Sequence, residues 1–253
     1  MKIVPAKFGL TLSPPLQGTR AQLKQPPQAI KTRSKTRRLF RAGKWTLWIL
    51  LALALVRTFI GEASLVPTAS MEGTILVGDH LFWNKALYGP EIPFTHWRLP
   101  RLRRVHRGEI VAFHYPLDPE QIFLKRAVAL GGDRVEIHND VLYVNGAAVQ
   151  ENYVMHHHTL RFRFAPSEMA ARTVPAGTLF MLGDNRDFSS DSRDWGVVPE
   201  ENVIGSPFIV FWSYDAPSAE WLDEKPAHRL RFFASMCAHL FTRTRWGRTG
   251  TLL

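Results

Sequence analysis

Cysteine is almost missing from this chain. Cys237 is the only one among 253 residues, so no internal disulfide exists and stability must come from a packed core, for which the length suffices. Acidic residues are missing from the first part of the chain: the first is Glu62. Residues 1–61 hold 12 of the 32 Lys and Arg, and the remainder sets 20 basic against 22 acidic residues, so the formal charge of +10 belongs to one end and not to the body. That distribution argues against a nucleic-acid-binding surface spread over the fold, and no nucleic-acid partner is expected. Long helical periodicity is scarce between Ser64 and Tyr214, which argues against a helical bundle. Long apolar runs are also rare; there is one.

That run, Trp45 to Ile60, is apolar except for Arg57 and two threonines. It is slightly shorter than the ~20 residues that a spanning helix prefers. Arg57 can snorkel toward one interface, and Trp45 and Trp48 suit the other. Residues 1–44 before it are polar and Pro- and Gln-containing, with 11 Lys and Arg, and read as a mostly disordered basic tail. The basic flank predicts a cytoplasmic N-terminus, a single-pass transmembrane helix over 45–61 and an exported body over 62–253. A cleaved signal peptide ending near Gly61-Glu62-Ala63 and a buried helix of a soluble protein are the competing readings. The long basic lead weighs against the first, the tryptophan flanks and charge asymmetry against the second.

The body reads as short extended runs. Residues 73–79 lead into 80–85, and Gly108–Phe113, Thr178–Gly183 and Ile209–Trp212 are further strand candidates. Arg134–His138 and Val141–Gly146 alternate on either side of Asn139-Asp140, a hairpin signal. The fold class is therefore mainly β, a coiled-sheet or barrel-like domain. Residues 150–172 read as a small inserted lobe or long hairpin. Its His156-His157-His158 triplet lacks the Cys or paired acids that would complete a tetrahedral set, so no metal is expected there. The basic, aromatic tail 222–253 either packs on the sheet or lies at a lipid surface; packing is the simpler expectation.

Two residues carry the chemistry. Ser70 stands in Pro67-Thr68-Ala69-Ser70-Met71, just past the apolar run, where Pro67 stiffens the approach and Gly73 permits a turn. Lys125 sits inside the apolar run Phe123–Leu130, and on a strand it shares a face with Phe123 and Ala127 while Arg126 faces away. A desolvated lysine can lose its proton near neutral pH and serve as base toward a serine hydroxyl. Taken alone, each has a plainer reading, a surface hydroxyl and a snorkelling lysine. The dense run Gly183–Gly196 interleaves acids with Arg186 and Arg193, which favours internal ion pairs over a bound cation, though a solvated loop is the plainer account.

Four segments in this order resemble bacterial type I signal peptidase (leader peptidase), a membrane-anchored serine–lysine endopeptidase family. They are Pro67–Met71 with Gly78-Asp79, Gly108–Phe113, Lys125-Arg126 through Gly132-Asp133, and Gly183–Gly196. The resemblance spans roughly residues 45–215. It implies a mostly β catalytic domain whose apolar edge meets the outer face of the plasma membrane. It implies removal of signal peptides from exported preproteins after small residues, with Ala at −1 and −3. Ser70 is then the nucleophile and Lys125 the general base. Thr68 falls where a hydroxyl assists the oxyanion hole, and Ser189 where a serine hydrogen-bonds the lysine amine. Asp184 and Arg193 match a structural ion pair, Asp191 a carboxylate near the site, and Met71 and Phe123 are placed to line the substrate pockets. No metal or organic cofactor is required; the partners implied are signal peptides and the lipid surface.

Two departures stand out. The family usually has proline two residues after the methionine, where this chain has Gly73, and Phe188 replaces a more usual polar residue. They leave room for a specialised paralogue serving a secretion or conjugation substrate. A non-catalytic membrane-tethered scaffold and a self-cleaving regulator are the rival functions. The joint presence of Ser70, Lys125 and Ser189 opposes the scaffold, and the anchor and the 184–195 loop oppose the regulator.

Overall fold

The structure, a computed structural model, describes residues 32–92, 95, 97–156 and 168–253. The chain divides into two compact units, 1–48 and 49–253. Helix α1 (Thr32–Leu55) is followed by one π-helical turn, Val56–Ile60. Residues 37–60 are long and apolar enough to cross a membrane, ~36 Å at 1.5 Å per residue, and Leu47, Trp48 and Leu50 are exposed. The helix begins upstream of the expected Trp45. Arg, Lys, Leu and Ala are strong helix formers, and a helix already nucleated in the apolar run propagates into them, so residues 32–44 are not the disordered tail expected. Residues 1–31 of that tail lie outside the described residues.

The strands, in chain order, are β1 (Gly61–Leu65), β2 (Asp79–Asn84), β3 (Ile110–Tyr115), β4 (Asp118–Leu130), β5 (Arg134–His138), β6 (Val141–Val144), β7 (Ala147–Ala148), β8 (Met169–Thr173), β9 (Thr178–Leu182), β10 (Val198–Pro199), β11 (Val203–Ser213) and β12 (Thr251–Leu252). They form two antiparallel sheets. One has the order β1-β2-β11-β3-β4-β9-β10, with β12 added to β11; the other is β7-β6-β5-β8. The predicted hairpin is β5–β6, and Asn139 and Asp140 take φ of 50° and 65°, as a two-residue turn of that twist requires. Residues 73–78 are turns and not the extended run expected. Gly73 and Gly78 both have positive φ, and the strand begins only at Asp79.

Three apolar clusters hold the second unit together. Met71, Ile75, Leu81, Ile110 and Val210 pack behind the segment that carries Ser70. Val111, Phe113, Ala127, Leu179 and Met181 fill the centre of the larger sheet. Val128, Val135, Leu142, Phe180 and Leu182 join the two sheets. Of the expected lobe, residues 151–156 lie along the 183–196 loop through a Met155–Asn185 bridge and a Glu151–Arg186 ion pair of 2.6 Å. Met169–Thr173 belongs to the smaller sheet as β8. His157, His158 and Arg161–Phe164 lie outside the described residues. The C-terminal segment forms α3 (Ser218–Leu222), α4 (Pro226–Ala238), α5 (Leu240–Arg243) and β12, and it packs on the sheet through β12 and Phe232.

Candidate active site

Ser70 sits in a single 3-10 turn, Ala69–Met71, entered from an extended Thr68. Met71 is fully buried and anchors that turn to the core. The following chain closes on itself through the Thr74 and Ile75 N–H groups, which both donate to the Met71 carbonyl. On the far side the Asn185 N–H donates to the Ser70 carbonyl at 3.1 Å, and Asn185 Nδ2 donates to the Ala69 carbonyl at 3.1 Å. The serine is thus held between two elements more than a hundred positions apart.

Lys125 reaches it from β4. Its Nζ donates to Ser70 Oγ at 2.6 Å, and the residue is 4% exposed. Burial, the chief cause, pulls the Lys125 ammonium down from its ordinary 10.5 to about 8. Asp191 opposes the shift, Arg193 adds to it and Asp184 opposes it. Lys125 has no salt-bridge partner among the described residues, because the nearby carboxylates are already engaged.

Asp184 and Arg193 do not form the ion pair expected of them. Asp184 is held by Arg126, whose Nε donates to Oδ1 at 2.8 Å and whose Nη2 donates to Oδ2 at 2.5 Å. Thr74 Oγ1 also donates to Asp184 Oδ2 at 2.6 Å, and the Arg126 guanidinium stacks 3.8 Å from the Tyr153 ring centre. Arg193 instead pairs with Asp191, two residues away, through Nε and Nη2 at 2.8 Å each, and its Nη2 donates to the Arg186 carbonyl. Asp191 takes a further bond from the Gly183 N–H at 3.1 Å. The reason is local: a two-residue separation at the start of α2 (Ser192–Trp195) lets Arg193 fold back on its own cap residue. Asp184 is left facing β4, where alternation turns Arg126 away from Lys125 and toward the loop.

Arg126 and Thr74 were not singled out in the sequence. The signal available was a second cation beside Lys125 inside an apolar run, since a buried guanidinium needs a carboxylate partner somewhere.

Ser189 is fully buried beside Ser70, but its Oγ has no hydrogen-bond partner among the described residues, so the expected bond to the Lys125 amine is not formed. It packs against Gly183. A Cβ at position 183 would lie 2.2 Å from Ser189 Oγ and 2.5 Å from the Ser70 carbonyl oxygen, which is why that position has none.

A cleft of about 470 Å³ opens over the pair. Residues 64–68 form one wall and 122–125 the other, with Met71, Phe188 and Ser190 completing it. Both Met71 and Phe123 line it, as does Thr68. The lining is mostly apolar, and Ser70 and Lys125 are among its polar members with Glu62, Ser64, Thr68 and Ser190. Phe123 is fixed by stacking on Tyr115 at 4.4 Å.

A family model described as "Signal peptidase, peptidase S26" matches residues 39–212. The signal peptidase I of Pseudomonas aeruginosa is 31% identical over 78% of this chain and 81% of that protein. The signal peptidase I of Aquifex aeolicus is 30% identical over 72% of this chain and 88% of that protein. A crystal structure of a signal peptidase I from Enterococcus faecalis aligns with 41% of this chain and 97% of that chain, at 32% identity and a TM-score of 0.35. With its matched region running from within the apolar helix into β11, the chain belongs to the signal peptidase family, peptidase S26, and is a serine endopeptidase.

Proposed function

We propose that Ser70 and Lys125 are the dyad with which this endopeptidase removes signal peptides from exported preproteins. Neutral Lys125 takes the proton of Ser70 Oγ as that oxygen attacks the scissile carbonyl carbon. The tetrahedral oxyanion is met by the Ser70 N–H, which has no partner among the described residues, and by the Thr68 hydroxyl at the cleft wall. The C–N bond breaks as the lysine returns the proton to the leaving amine. Water, deprotonated by Lys125, then releases the signal peptide from its ester on Ser70. Ser189, Asp184, Asp191 and Arg193 hold the loop against Ser70 and take no proton. The shallow apolar walls formed by Met71, Phe123 and Phe188 suit small side chains such as Ala at −1 and −3. The apolar helix anchors the enzyme in the plasma membrane, with its basic N-terminal side cytoplasmic and the catalytic unit on the outer face.

The observation that supports this reading is the 2.6 Å contact between a buried amine and the serine oxygen. The full chain, solubilised in detergent and incubated with a preprotein, should release a shortened product. Ser70→Ala and Lys125→Ala should abolish it, and Thr68→Val should slow it up to ~10²-fold. Undiminished cleavage by Lys125→Ala would remove the lysine from the mechanism.

A further inference from the structure

Residues 213–253 lie beyond the family match, and they carry a helix with two apolar sides. The inner side of α4 is accounted for: Phe232 meets Tyr214 and Trp221, with ring centres 6.3 and 4.8 Å apart. The outer side is not. Leu230 and Phe233 are 71% and 60% exposed, and exposed Cys237 lies in the same stripe. At ~100° per residue, Arg229 and Arg231 fall about 100° to either side of Leu230, so one arginine stands at each shoulder of the stripe. Residues 225–253 contain six Lys and Arg and no acid, whereas residues 62–224 set 14 basic against 22 acidic residues.

The helix that carries this stripe is joined, through its inner side, to the point where the apolar helix ends. Gly61, the residue after Ile60, lies against Phe82. From Phe82 an unbroken series of ring contacts runs through Phe211, His80 and Trp221 to Phe232 on α4. Phe82, Phe208 and Phe211, which pack on one another, are themselves partly exposed.

We propose that α4 is an in-plane lipid contact: its outer stripe enters the headgroup boundary of the bilayer that holds the anchor, and Arg229 and Arg231 bind anionic headgroups on either side. An apolar stripe flanked by cations is what such a surface recognises, and a tether keeps the body at the lipid surface at high effective concentration. Arg245 and Arg248 are held by Asp215 and Asp79, which leaves Lys225, Arg229, Arg231 and Arg243 as cations with no ion pair among the described residues, and a neutral protein groove would not select them. The inference rests on the anchoring part of the proposed function and not on the dyad.

Cys237, the only cysteine, permits a direct test on the full chain. A polarity-sensitive fluorophore on Cys237 is followed after reconstitution into vesicles of phosphatidylcholine alone or with phosphatidylglycerol, with and without brominated lipid. In phosphatidylglycerol vesicles the emission should shift to the blue and lose intensity to the brominated lipid. Arg229→Gln with Arg231→Gln should lower the lipid-bound equilibrium ~30-fold, at about fivefold per arginine, and Phe233→Asp should abolish it. Preprotein cleavage in detergent should be unchanged in both variants, which confirms that they fold. Water-like emission in every vesicle that carries the protein overturns the proposal, as does self-quenching that depends on protein density and ignores lipid, which would assign the stripe to a second copy. A chain that does not float with vesicles of either kind would remove the anchor and this contact together, while leaving cleavage in detergent to judge the dyad separately.

Discussion

Lys125 occupies a site that opposes its own charge. Its folded pKa of about 8 lies below the 10.5 of the unfolded chain, so between those values the unfolded chain binds more protons. Stability should therefore climb as pH rises from about 8 to about 10.5 and be flat below 8. At pH 7 the buried ammonium costs the fold up to ~3 kcal/mol. Lys125→Met should recover much of that at pH 7 and lose the advantage above about pH 10.5. Urea unfolding of the detergent-solubilised protein, followed across that range, checks it; a Met variant no more stable at pH 7 would refute the strain assigned to the amine. Gly73 makes a second case at this scale. Where resembling enzymes have proline, this chain has glycine at φ 110°, and an added Cβ would lie 2.5 Å from the Tyr153 carbonyl oxygen. Proline is fixed near φ −65° and cannot occupy that turn. Gly73→Pro is thus expected to lower activity and thermal stability together instead of restoring a family feature. Activity at or above that of the unchanged chain would contradict the geometry of the turn after Ser70.

Between residues and molecule stands the clamp of β4 on the 183–196 loop. Lys125 and Arg126 are neighbours on one strand and serve opposite sides of it: the first meets the serine, the second holds the loop that flanks the serine. Asp184→Asn keeps the shape but leaves Arg126 buried without its counter-charge. That should destabilise the catalytic unit by roughly 3–5 kcal/mol, measurable by denaturant unfolding. A loss under 1 kcal/mol would mean that Tyr153, Thr74 and the Gly108 carbonyl satisfy the guanidinium alone. This element also marks how far the sequence could be read. The β5–β6 hairpin was legible because its signal is local, alternation on both sides of Asn139-Asp140. The burial of Lys125 was legible from the apolar residues on both sides of it. The partners of Asp184 and Arg193 were not, because pairing inside a loop rich in both charges is decided by the path of the backbone. The partner of Asp184 stands 58 positions earlier in the chain. Residues 73–78 were read as extended since their apolar side chains are core-facing, but two positive-φ glycines turn the chain there. The start of α1 was misplaced because charge and polarity were weighed above helix propensity.

For the whole molecule, the described residues join one helix long and apolar enough to cross a membrane to a mainly β catalytic unit. The cleft walls include strand residues 64–65 and 122–125, and Lys125 stands on one of those strands, so the same sheet that builds the core also aims the amine at Ser70. The rest of the account depends on that amine being neutral when it acts. The most direct test is the pH dependence of kcat/KM for preprotein cleavage by the full chain in detergent. The account predicts a tenfold rise per pH unit below an inflection near 8, then a plateau, with about a tenth of the enzyme active at pH 7. A profile flat from pH 6 to 9, or one still rising toward 10.5, would contradict it.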